Sequence, residues 1–138
     1  MVTLDVTTTR RIQAVDVTAM IEDAVTRSAV QNGACIVHVP HTTAGVIVNE
    51  HDDPDVMRDL LAHLTTLVPQ SPSFRHAEGN ADAHIKAALT GTSVTLIVNG
   101  GRPVLGRWQG AASVAAIASA CATAGAPVRI SNRMQPSA

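Results

Sequence analysis

The feature that most constrains this chain is the pairing of its apolar runs. Val2 to Thr8 alternates Val, Leu and Val with Thr and Asp, the period-2 pattern of a half-buried strand. Arg10 and Arg11 interrupt it, and Ile12 to Val15 is expected to pair back as a second strand. Cys35 to Val39 and Gly45 to Val48 are two more apolar runs, separated by a short polar connection. Val94 to Val98 reads as a buried strand before the turn Asn99-Gly100-Gly101, and Val104 to Gly106 as the start of another.

Helical patterns separate these runs. From Thr18 to Val30 the apolar residues Met20, Ile21, Ala24, Val25 and Ala29 recur at helical spacing, with Asp16 or Thr18 as N-cap and Asn32-Gly33 as the stop. Asp52 or Asp53 is expected to cap a second helix with Pro54 in its first turn. Its buried stripe is predicted at Val56, Met57, Leu60, Leu61, Leu64 and Leu67, with Pro69 beyond its end. Asn80 heads a third helix that stops at Gly91. Strand pairs set between helices, rather than strict alternation, predict an α+β fold over a doubly wound parallel sheet.

The tail gives mixed signals. Ala111 to Ala124 favours helix by propensity, yet Val114 and Ile117 make little of a helical stripe. Val128 to Ile130 reads as a last short strand and Gln135 to Ala138 as a frayed end. At 138 residues the expectation is one domain, residues 1–138.

Composition excludes several functions. Lys and Arg number 10 against 11 Asp and Glu, for a net charge of -1, so no basic field is available to neutralise phosphates of nucleic acid. One Trp, one Phe and no Tyr leave no stacking platform for bases. No apolar run approaches the ~20 residues of a membrane span. The N-terminus lacks the basic head and apolar body of a signal peptide, and Cys35 and Cys121 read as reduced core thiols. The expected compartment is therefore the cytoplasm.

Chemistry-bearing residues gather at the ends of two apolar runs. V-P-H-T-T-A-G-V-I-V-N-E-H-D-D-P places His41, Thr42 and Thr43 after the first, and Asn49, Glu50, His51, Asp52 and Asp53 after the second. Glu50 is the leading general acid or base, because burial behind an apolar strand would raise its pKa. The Thr42 and Thr43 hydroxyls suit an anion. Farther on, His76-A-E-G-N-A-D-A-His84 sets one histidine in the loop entering the third helix and another one turn into it. Imidazoles near a helix N-terminus are kept neutral, the form a metal needs, and Glu78 and Asp82 stand by as oxygen donors. His41 is a natural third ligand, and three histidines with an open position is the pattern of catalytic zinc. The same histidines also fit an ordinary polar loop and helix. His38 reads as packed, His63 as exposed, and His51 is open. Trp108 is either a core plug or a pocket wall.

His41-Thr-Thr-Ala44, Asn49-Glu50, Asp53-Pro54, His76, Asn80-Ala81, Ala83-His84, Gly91 and Leu105-Gly106-x-Trp108-Gln109 together resemble the YjbQ family, sometimes called secondary thiamine-phosphate synthases. The resemblance runs from about Asp16 to Gln109, and residues 110–125 depart from it. It implies an α+β fold with a split or mixed sheet, assembled as a homotrimer with clefts between subunits. It makes His41, His76 and His84 the metal ligands, with zinc or magnesium as the metal. Asn49 and Glu50 join His41 as catalytic residues. Thr42, Thr43, Asn80, Trp108 and Gln109 become substrate-binding residues. It also favours a strand over Ser113 to Ser119, against local helical propensity.

The implied reaction joins a pyrimidine pyrophosphate to a thiazole phosphate. The alternatives are metal-assisted phosphate-ester hydrolysis at the same three histidines, or a non-catalytic trimer that binds a metal or metabolite. The expected partners are a small phosphorylated metabolite, phosphate or sulfate, and other copies of the chain.

Overall fold

The computed structural model describes residues 2–116 and 128–136. β1 is Val2–Val6, β2 Gln13–Asp16, α1 Thr18–Arg27, β3 Asn32–His38, β4 Ile47–Glu50, α2 Pro54–Leu67 and α3 Ala81–Thr90. β5 is Ser93–Asn99, β6 Arg102–Pro103, β7 Gln109–Ala116 and β8 Val128–Pro136. One sheet runs β1-β8-β3-β5-β6 and a second runs β2-β7-β4. Every described pairing is antiparallel, so the sheet is split as expected and not mixed.

Alternation along the strands decides which face is buried. Cys35, Val37 and Val39 point into the core together with Leu96 and Val98 of the neighbouring strand and Leu4 and Val6 of the edge. α1 covers that face with Ile21, Ala24 and Val25, while Ile97 on the opposite face is 66% exposed. With so few aromatics available, small branched side chains fill the space between helix and sheet.

The structure redraws several expected elements. The segment at Ile12 to Val15 does not pair back onto β1. It forms β2 one residue later and pairs with β7 in the other sheet, Val15 opposite Val114. Alternation marks a strand but not its partner. α1 ends at Arg27 rather than Val30, Ala29 takes the left-handed conformation at φ 59°, and Asn32-Gly33 opens β3 instead of closing the helix. Gly100 and Gly101, at φ 59° and 75°, make the two-residue hairpin that sets Asn99 opposite Arg102. The following strand is thus Arg102–Pro103, not Val104 to Gly106. β7 confirms extended backbone as far as Ala116, against helical propensity, because β2 and β4 hydrogen-bond it on both sides. The rest of the Ala-rich run, and Cys121, lie outside the described residues. β8 continues to Pro136, so Gln135 is paired and not frayed.

α2 begins as predicted, with Asp53 accepting from the Asp55 N–H at 2.9 Å and Pro54 in the first turn. Its stripe is not a core stripe. Leu64 is buried, Val56, Met57, Leu60 and Leu61 are half-buried, and Leu67 is 59% exposed. Period alone identifies an apolar face without saying what covers it.

Candidate functional site

The two histidine-bearing elements are fixed in different ways. Gly45 lets the loop after β3 lie against the end of α3, where an added Cβ would strike Thr90 and approach the Gly91 carbonyl at 2.6 Å. Val46 N–H donates to Gly91 O at 2.9 Å and Val39 N–H to Thr92 O at 2.8 Å, stitching the loop down. Within it His41 Nδ1 accepts from the Thr43 N–H at 3.1 Å, with the Thr43 hydroxyl at 3.0 Å. A backbone N–H can only donate, so Nδ1 is unprotonated and the neutral ring carries its proton on Nε2. His41 is exposed and Thr43 buried, while Thr42 is exposed.

At the other end of α3, His84 stands one turn in and packs edge-on against His76, ring centres 4.9 Å apart and planes 87° apart. Asn80 donates from Nδ2 to Glu78 Oε2 at 3.0 Å, and Glu78 Oε2 lies 3.7 Å from His76 Nε2. Asn80 does not cap the helix through its side chain, although it occupies the cap position. Among the described residues, Asn80 Oδ1 and His84 Nε2 are buried without a hydrogen-bond partner. Such atoms are costly unless something completes them. Two imidazoles side by side are donors of the type a borderline divalent cation such as zinc takes, but they are two donors and not a complete set.

His41 does not join this pair. Its loop is anchored at the Gly91 end of α3, seven residues from His84 and so about 10 Å away along the helix axis. Among the described residues, no group of three or more His, Cys, Asp or Glu side chains is arranged to hold a metal ion. One chain sets His76 against His84, with Glu78 joining His76 and Asn80, and His41 is not part of that group.

An ion cluster that the sequence reading missed underlies the His84 turn. Asp82 and Lys86 are each 1% exposed and joined at 2.8 Å, and Arg11 grips the same carboxylate with contacts of 2.9 and 3.1 Å. Desolvation alone would raise the Asp82 pKa, but the hydrogen bonds and charges of Arg11 and Lys86 prevail and hold it at about 2. The i,i+4 spacing of Asp82 and Lys86 was a legible signal. Arg11, 71 residues from Asp82, gave none.

Asn49 and Glu50 are half-buried at the end of β4, where a register shift against β7 resets their direction before Asn49 meets Gly110 and Glu50 meets Gln109. Glu50 lines a cleft of about 470 Å³ between β2, β4 and α2. His51 lines it too, its Nδ1 3.1 Å from Asp16 Oδ2. Burial pushes Asp16 up, but the Thr18 hydroxyl and N–H, together with His51, bring its carboxyl below the usual range. The remaining expected wall residues are outside that cleft. Gln109 turns back so that its Oε1 accepts from the Gly106 N–H at 2.8 Å, and Trp108 is 50% exposed with the Arg107 guanidinium 4.6 Å from its ring centre. Trp108 is therefore not a core plug.

The family model for YjbQ-like UPF0047 proteins matches residues 2–115, and the chain belongs to that family. It is 47% identical over 103 residues to a UPF0047 protein of Methanocaldococcus jannaschii, covering 75% of each chain. It is 40% identical over 109 residues to the UPF0047 protein YugU of Bacillus subtilis, covering 78% of this chain and 83% of that one. A crystal structure of a YjbQ/UPF0047 protein from Clostridium acetobutylicum superposes with TM-score 0.88 at 34% identity, over 98% of this chain and all of the other. A YbjQ-like protein from Sulfolobus solfataricus gives TM-score 0.88 at 28% identity, over 98% and 95%. These names state a family and not a reaction. Among the described residues no helix is long and apolar enough to cross a membrane.

Proposed function

We propose that this is a cytoplasmic, metal-dependent enzyme of small phosphorylated substrates, with His76 and His84 as its metal-binding core. The observation that carries the reading is the Nε2 of His84, buried with no partner among the described residues, in a ring packed edge-on against His76. A divalent metal, zinc or magnesium, would bind there and offset charge on a leaving phosphate or pyrophosphate. By family resemblance the reaction joins a pyrimidine pyrophosphate to a thiazole phosphate.

His41 enters this reading from a second copy, across a subunit boundary in a homotrimer. While Thr43 occupies Nδ1, His41 offers Nε2–H, a donor suited to an anionic oxygen; direct ligation would require giving up that bond. Thr42 offers a hydroxyl to phosphate, Glu50 and Asn49 are assigned to proton transfer and orientation, and Trp108 and Gln109 to the cleft wall between subunits. Ile85, Leu89, Ile97 and Leu67 are exposed in the single chain, the apolar surface an assembly would cover.

The test is metal content and oligomeric mass of the wild type, His76→Ala and His84→Ala, with complementation of a thiamine-requiring strain. Loss of metal and of complementation in both variants supports the reading. Unaltered metal content removes the site, and metal binding without complementation removes the reaction.

A further inference from the structure

The cleft holding Glu50 has a second imidazole centre, built differently from the His76–His84 pair. A carboxylate above its pKa can only accept, so the 3.1 Å contact from Asp16 Oδ2 places a proton on His51 Nδ1. Asp16 is itself locked, its other oxygen accepting from the Thr18 N–H at 2.8 Å and from the Thr18 hydroxyl. The ring is also seated from behind. Gly110 lies so close that a Cβ there would come within 2.6 Å of both Cβ and Cγ of His51. The His51 N–H donates to Trp108 O at 3.1 Å, tying the backbone to the strand. Orientation by a carboxylate and a fixed tautomer are what an imidazole hydrogen-bond acceptor needs.

Which charged groups in the cleft are already used decides what it can hold. Arg58 pairs with Asp55 at 2.9 Å and Asp53 caps α2. Asp16 is committed to Thr18 and His51. Arg10, Glu50 and His51 line the cleft, and among the described residues Arg10, the Glu50 carboxylate and His51 Nε2 have no hydrogen bond or ion pair. One cation, one anion and one imidazole nitrogen thus remain, over a floor containing Ile12, Met57 and Leu61. That combination matches a ligand with an anionic end and a hydroxyl end on a short carbon frame.

We propose that this cleft is a ligand site with its own hydrogen-bond acceptor, taking a small hydroxylated carboxylate or phosphate. Arg10 binds the anionic group, and the hydroxyl donates to His51 Nε2 beside Glu50. The hydroxyl keeps its O–H bond and donates through it to Nε2, and Asp16 holds the ring in the tautomer that accepts. The site shares Glu50 with the metal reading, but its ligand contacts, Arg10 and His51, do not depend on the metal.

The test uses full-length protein labelled with ¹⁵N-histidine, titrated with glycerol phosphate or lactate, and with glycerol and inorganic phosphate as half-probes. His51 should show the Nδ1–H tautomer, and Asp16→Ala should convert it to a mixture. At least one whole probe should shift the Nε2 signal saturably, and the half-probes should bind more weakly. Arg10→Ala, a surface change that leaves folding intact, should weaken binding about tenfold, as expected for loss of a charge-assisted contact. The phosphate and carboxylate arms separate the two ligand types. Binding that persists in His84→Ala and after chelation keeps the site independent of the metal. Absence of a saturable shift with either probe, equal binding by Arg10→Ala, or loss of binding in His84→Ala would overturn the proposal.

Discussion

The two histidine centres of this protein solve opposite problems. At the His76–His84 corner the imidazoles are packed against each other, and two buried polar atoms have no partner among the described residues. At the Asp16–His51 cleft the imidazole is partially exposed, its Nδ1 is satisfied, and its tautomer is set by a carboxylate that is itself fixed. At the corner His76 and Glu78 are themselves open to solvent, and only His84 Nε2 and Asn80 Oδ1 are buried and underpartnered, which is why a ligand that brings its own bonds is proposed there. A partnered imidazole facing a cleft is arranged to accept a hydrogen bond. The difference lies in what surrounds each ring, not in the residue.

The two regions share one support, and breaking it should produce the largest effect. Arg11 follows Arg10 at the cleft edge, and Asp82 precedes His84 by two residues, so their ion pair links cleft and corner. Asp82→Ala leaves Lys86 buried without its carboxylate and should cost about 3–5 kcal/mol in denaturant unfolding. It should also disturb the ring signals of both His51 and His84. Because Asp82 is depressed from 3.8 to about 2, its contribution is complete above pH 3.8 and is lost as pH falls through about 2. That acid loss, on the order of 2 kcal/mol, should be absent from the variant's pH–stability curve.

Next in size are changes confined to one region. Gly110→Ala forces its methyl into the His51 ring and should lower stability by about 1–3 kcal/mol while leaving metal binding intact. His84→Leu should act in the reverse direction on stability. It removes a nitrogen buried without a partner among the described residues and should stabilise the metal-free protein by about 1 kcal/mol while abolishing metal binding. A destabilised His84→Leu would mean that Nε2 has a partner in the native assembly. The smallest effect should come from Arg107→Ala, which removes an exposed contact over Trp108 worth about 0.5–1 kcal/mol and touches neither centre.

How much of this was legible in the sequence differs between the same two regions. Asn80 and two histidines at a loop and a first helical turn are local features, and the corner could be read from eight residues of spacing. The cleft could not, because Asp16 and His51 are 35 residues apart and meet only once β2 and β4 both pair with β7. Asp16 or Thr18 was the expected cap of α1, but Val17 takes the cap position without a side-chain bond, and Asp16 accepts instead from the Thr18 N–H and hydroxyl. The apolar runs disclosed the strands, but β2 joined a different sheet from β1 because pairing depends on β7 and β8 at the far end of the chain. Leu67 and Leu60 matched a buried stripe by period, yet period is blind to whether the covering surface belongs to the same chain.

The most direct measurement is zinc bound per chain in the intact assembly, compared among wild type, His76→Ala, His84→Ala and the exposed control His63→Ala. Stoichiometric zinc in the wild type and in His63→Ala, with loss in both His76→Ala and His84→Ala, is the predicted result. Equal zinc in all four proteins would contradict a metal centre at the His76–His84 corner.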